Sequence, residues 1–167
     1  MKAKILLIGF LLMAGLLVQS ALAKEAPQKV TISGAGLLSE VVLTGDQDRL
    51  NTLAMMTLED YYTRSANAPA GISGDGYLIT RYLQESPTRL IAFDTVRYYP
   101  DPAGGRGYIY FLGIANGSSD YDHHWFRANP AGEATLQALI AEGQAESSAA
   151  KTLVMNLFLK SFAAFFQ

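Results

Sequence analysis

Two short stretches of this 167-residue chain concentrate the residue types that do chemistry. Residues 97–108 contain Arg97, Tyr98, Tyr99, Arg106 and Tyr108, threaded through Pro100, Pro102 and three glycines, with Tyr110 two places on. Prolines stiffen the backbone and glycines reach conformations closed to other residues, so this is a shaped loop between strands. Two guanidinium groups and four phenol rings are the equipment for holding an anionic or sugar-like ligand, by charge-assisted hydrogen bonds and stacking. The plainer reading is a rigid hairpin tip with ordinary flanking aromatics. The second stretch is Asp120, Asp122, His123 and His124, just before Trp125. Imidazoles beside carboxylates invite a metal ion or hydrolytic chemistry. The spacing argues against a metal, because neighbours on a strand over 123–127 would point to opposite faces. These are also the only two histidines, so a three-histidine site cannot be assembled.

Other catalytic signatures are weak. Residues 71–76 run Gly-Ile-Ser-Gly-Asp-Gly and lack the G-x-S-x-G spacing of a nucleophile elbow. Neither a P-loop nor a dinucleotide-binding G-x-G-x-x-G is present, so no cofactor is expected. There are no cysteines, which removes thiol catalysis, thiolate metal sites and disulfides together. Asn116-Gly117-Ser118 is a formal glycosylation sequon and equally a turn. The net charge is −2, and losing Lys2 and Lys4 would take it to −4, with no basic stripe to neutralise phosphates. Nucleic acid is therefore not an expected partner.

The elements that must position these residues follow from patterning. Residues 1–23 read as a cleavable signal peptide: Lys2 and Lys4, an apolar run, then Ala21-Leu22-Ala23 as the cleavage motif. Cleavage there leaves Lys24 first and 144 residues, one domain in size. Half of the chain is apolar and 17% is charged, the balance of an ordered globular protein. Strands are expected over 29–33, 38–43, 77–83, 89–99, 108–114 and 123–127, from alternation and β-branched or aromatic content. A helix is expected to open near Thr44 or Asp46 and to lay Leu50, Leu53, Ala54, Thr57 and Leu58 on the core. Residues 63–76 read as a loop. Asn129-Pro130 opens a second helix with Leu136, Leu139 and Ile140 on its apolar side. The expected fold is α+β, a mostly antiparallel sheet of about five or six strands with two or three packed helices.

The single α+β domain is expected over 24–142, followed by a small polar linker over 143–148. A last helix over 149–167 is apolar nearly all round, apart from a narrow face of Thr152, Asn156, Lys160 and Ala163. Leu153, Leu157, Phe158, Phe162 and Phe165 must find cover, either on the domain's own sheet or on a membrane surface. The segment is too short for a comfortable bilayer span.

With these residues in view, the chain resembles a group of uncharacterised exported bacterial proteins. The resemblance rests on Thr-Ile-Ser-Gly-x-Gly-Leu at 31–37, Arg-Tyr-Tyr-Pro-Asp-Pro-x-Gly-Gly at 97–105 and Trp-Phe-Arg-Ala at 125–128. It covers residues 29–142 and implies export and a shared domain, with no catalytic residue carried over. The functional expectation is an exported, non-enzymatic envelope or secreted binding module. A hydrolase or metal-dependent enzyme built on residues 120–124, and a structural membrane-surface protein, are the competing classes.

Overall fold

In the computed structural model, residues 26–34, 36–54, 59–115 and 117–165 are described, without the side chains of 59–63 and 156–165. The expected signal peptide at 1–23, Thr57, Leu58 and the asparagine of the sequon lie outside the described residues. Among the described residues, seven strands and two helices follow in chain order. They are β1 (Lys29–Gly34), β2 (Val41–Thr44), α1 (Gln47–Thr52), β3 (Glu59–Ser65), β4 (Tyr77–Ser86), β5 (Arg89–Tyr99), β6 (Tyr108–Ile114), β7 (Trp125–Ala128) and α2 (Pro130–Phe165). The strands form one sheet in the order β2-β1-β4-β5-β6-β7-β3. Every pairing is antiparallel.

The fold is therefore α+β with an antiparallel sheet, and it has seven strands where five or six were expected. The additional strand is β3, which falls where the sequence suggested the end of a helix and the start of a loop. Tyr61, Tyr62 and Thr63 are good strand formers. Their partner is β7, far downstream, so no local turn announces the pairing. α1 is correspondingly short. Asp46 caps it, its side chain accepting from the Arg49 N–H at 3.1 Å. The end tightens, with the Ala54 N–H bonding back to Asn51 rather than one residue earlier. Leu50 and Leu53 still reach the core.

The core lies on one face of the sheet. Val30, Ile32, Leu43, Ile79, Val96, Tyr98, Ile109, Phe111 and Phe126 come from the strands; Leu50, Leu136, Leu139 and Ile140 come from the helices, and Leu53 is the C-cap of α1. Period-two alternation explains the strand set: Ile79 stands opposite Ile32 and Val96, and Val96 opposite Phe111. One ion pair is sealed into this layer. Arg81 grips Asp94 with two hydrogen bonds of 2.6 and 2.7 Å, the side chains being 2% and 0% exposed.

α2 begins as its sequence predicts: the Asn129 side chain accepts from the Ala131 N–H at 3.1 Å, and Pro130 takes the first helical position. It does not end where expected. Residues 143–148 are helical, part of one helix of 36 residues, and not a linker. The small residues serve close approach. A Cβ on Gly143 would meet Val41 Cγ2 at 2.4 Å, so only glycine lets the helix lie this near β2. One turn on, Ser147 is buried and its hydroxyl accepts from the Leu38 N–H at 3.1 Å. A bidentate pair, Arg49 with Glu142 at 3.0 and 2.8 Å, ties α1 to the same stretch of α2.

Candidate functional site

Beneath the helices one sheet face is core; the other face of β5, β6 and β7 carries a block of six side chains. Cross-strand register sets them in two rows. Arg97 stands opposite Tyr110, and Tyr110 opposite Trp125; Tyr99 stands opposite Tyr108, and Tyr108 opposite Arg127. Each strand contributes residues two apart, which keeps them on a common face. The rings touch. Trp125 lies 4.8 Å from Tyr110 and 5.2 Å from Tyr99, centroid to centroid, tilted by 39° and 43°. All six residues are partly exposed.

The two guanidinium groups occupy opposite corners and differ in their commitments. Arg127 sits 3.9 Å over the Tyr108 ring, pairs with Asp101 at 3.2 Å and donates to the Arg106 carbonyl. Asp101 is held below the usual carboxylate range, first by the Ala103 N–H and then by Arg127. It stays an anion, and Arg127 is a brace for the turn between β5 and β6. Arg97 donates to the Asp75 carbonyl at 2.6 Å, a neutral acceptor, and among the described residues no carboxylate pairs with it. The loop carrying Asp75 also runs over Tyr99: a Cβ on Gly76, whose φ is +61°, would come within 2.9 Å of that ring. Glycine is needed there for both the backbone angle and the contact.

Of the six residues singled out for ligand binding in the sequence, Arg97, Tyr99, Tyr108 and Tyr110 meet in this block. Tyr98 does not. As the neighbour of Tyr99 on a strand it points into the core, where its hydroxyl donates to Glu133 at 2.7 Å and accepts from Gln137 at 2.9 Å. Burial pushes its phenol well above the ordinary tyrosine range, only partly offset by the Gln137 hydrogen bond. Glu133 also accepts from the Gly107 N–H at 2.7 Å, so Tyr98 helps pin α2 to the β5–β6 turn. Arg106 lies exposed in that turn, and its contribution to the block is its carbonyl.

Trp125 and Arg127 belong to the block, and the sequence reading left them out of the site. Their i, i+2 spacing in a short strand was the available signal. What was missing was the register that sets β7 against β6.

Residues 120–124 are arranged differently from expectation. They form a turn, and β7 starts at Trp125, because His123 has φ 59° and cannot continue a strand. The Asp122 carboxylate accepts from the Ser119 N–H and hydroxyl at 3.0 and 2.9 Å, an ordinary turn-closing role. His124 Nδ1 donates to the Asp122 carbonyl at 2.7 Å, which fixes its tautomer. His123 is exposed, its ring 6.5 Å from Tyr110. Among the described residues, no three histidine or carboxylate side chains converge as metal ligands would.

Among the described residues, this face offers stacking, hydrogen bonding and the positive charge of Arg97. Phenols, an indole and guanidinium groups stack and form hydrogen bonds. No family model matches this chain, and neither does any curated protein or solved structure.

Proposed function

We propose that this chain is an exported, non-enzymatic binding module that holds a saccharide bearing a negative charge on the β5–β6–β7 face. The observation that carries the reading is the two-row block: Trp125 in ring contact with both Tyr99 and Tyr110, with Arg97 in the same row as Tyr110 and Trp125. Pyranose rings present C–H faces that stack on aromatic rings, and an acidic substituent supplies the charged partner that Arg97 does not have among the described residues. The competing enzyme reading requires Asp120, Asp122, His123 and His124 to converge on a reacting atom. Asp122 is instead spent on Ser119, and His123 faces outward. Export rests on the sequence alone, through the leader and the resemblance.

Trp125 is the only tryptophan, so the site carries its own reporter. Titration with a uronic-acid oligosaccharide should give a saturable change in Trp125 emission, with a weaker response to its neutral counterpart. Tyr99→Ala should weaken binding of both by about tenfold, and Arg97→Ala should erase the preference for the acidic sugar. A flat titration with both sugars, or a saturable response indifferent to both substitutions, refutes the proposal.

A further inference from the structure

The far end of α2 leaves the domain. Up to Ser147 the helix packs against α1, β2 and the turn after β1. From Ser148 through Met155 every residue is exposed, and the backbone stays helical to Phe165. At 1.5 Å per residue, the 18 residues 148–165 extend roughly 27 Å. Three successive apolar side chains at the root of this arm, Leu153, Val154 and Met155, are 62%, 66% and 60% exposed. The sequence beyond them adds Leu157, Phe158, Leu159, Phe162 and Phe165. Docking on the chain's own sheet, one of the two destinations open at the level of sequence, is not what residues 148–155 do.

We infer that this arm docks on an anionic lipid surface. Its charge is what selects that occupant. After Glu146 the sequence has no acidic side chain, and its only charged side chains are Lys151 and Lys160. The body is the opposite: setting aside Lys2, Lys4, Lys151 and Lys160 takes the net charge from −2 to −6. A flat approach of the body to an anionic bilayer is thus repulsive. An arm longer than the screening length of about 8 Å carries two cations and a broad apolar surface to the bilayer ahead of it. At the arm's root an open groove of about 570 Å³ is lined by Leu38, Ala150, Val154, Met155 and Lys151. This slot is apolar and Lys151 is one of its lining residues, which suits an acyl chain with an acidic headgroup. No helix among the described residues is long and apolar enough to cross a membrane, so the contact is with the surface.

The test is flotation of the full chain with vesicles of phosphatidylcholine alone and of phosphatidylcholine mixed with phosphatidylglycerol. The wild type should float with the mixed vesicles and much less with the zwitterionic ones, and added salt should reduce it. Leu153→Asp with Val154→Asp should lower partitioning by at least about tenfold, from the loss of two apolar contacts. Lys151→Glu should lower it by about fivefold or more. These positions are exposed, so unchanged thermal melts verify that the variants are folded. All variants share the wild-type N-terminus, so a difference reports α2 alone. Equal flotation of wild type and the double variant, or indifference to phosphatidylglycerol, overturns the inference. So does a concentration-dependent dimer in light scattering that the double variant abolishes while lipid binding is absent, because the arm's partner is then a second copy of the chain.

Discussion

Substituting Gly143 by alanine opposes two effects of known size. In an exposed stretch of helix the change stabilises by about 0.8–1.0 kcal/mol, since alanine loses less backbone freedom on folding. At Gly143 the new methyl would lie 2.4 Å from Val41 Cγ2 and 3.0 Å from Leu37 Cδ2. Carbon atoms settle at about 3.5–4.0 Å, so the Val41 contact is short by more than 1 Å. Leu37 can swing its terminal methyl aside. Val41 cannot do so as easily, because branching at Cβ stiffens χ1. Relief must come from shifting α2 or β2, and β2 is a four-residue strand at the sheet edge that can yield somewhat. Overpacking of this kind costs about 1–3 kcal/mol, so the net expectation is a loss of about 0.5–2 kcal/mol. In a chain of this size that lowers Tm by about 2–6 °C, readable by thermal melts followed by circular dichroism. Val41→Ala in the same molecule should recover most of the difference. A Gly143→Ala protein more stable than wild type would refute the close packing, and would restore residues 143–148 to the linker role their composition suggested.

Two further outcomes follow from the polar groups. Asp94→Ala leaves the Arg81 guanidinium buried without its carboxylate and should cost about 3–5 kcal/mol in urea denaturation, whereas Arg81→Met combined with Asp94→Leu should return close to wild type; a single-variant cost under about 1 kcal/mol would mean that the pair is open to water. Asp101 has a depressed pKa in the folded protein, so its contribution to the β5–β6 turn is present above the usual carboxylate range and is lost as pH falls through its lowered value. Trp125 emission should therefore shift in acid below that range, and the shift should disappear in Asp101→Asn; an identical acid transition in the variant would assign it to another group.

Local physics made much of this protein legible. Alternation of Val30 and Ile32, the β-branched and aromatic runs of β4, β5 and β6, and the Asn129-Pro130 helix start act through near neighbours, and each element lies close to where its own residues place it. The Arg97 to Tyr110 stretch stood out by residue type, and four of its six named side chains share one face. Tertiary structure decided the rest. Whether Tyr98 or Tyr99 faces the core depends on strand register, since one step along a strand reverses the face. Trp125 and Arg127 became neighbours of Tyr110 and Tyr108 only when β7 paired with β6, and β3 became a strand only when β7 offered it an edge. Gly143 and Ser147 carry the composition of a linker; in the fold they are helical residues where α2 comes closest to Val41 and Leu38, and nothing larger than a hydrogen atom fits at Gly143. Contacts between residues far apart in the chain leave no local periodicity, so position, register and close approach had to come from the folded molecule.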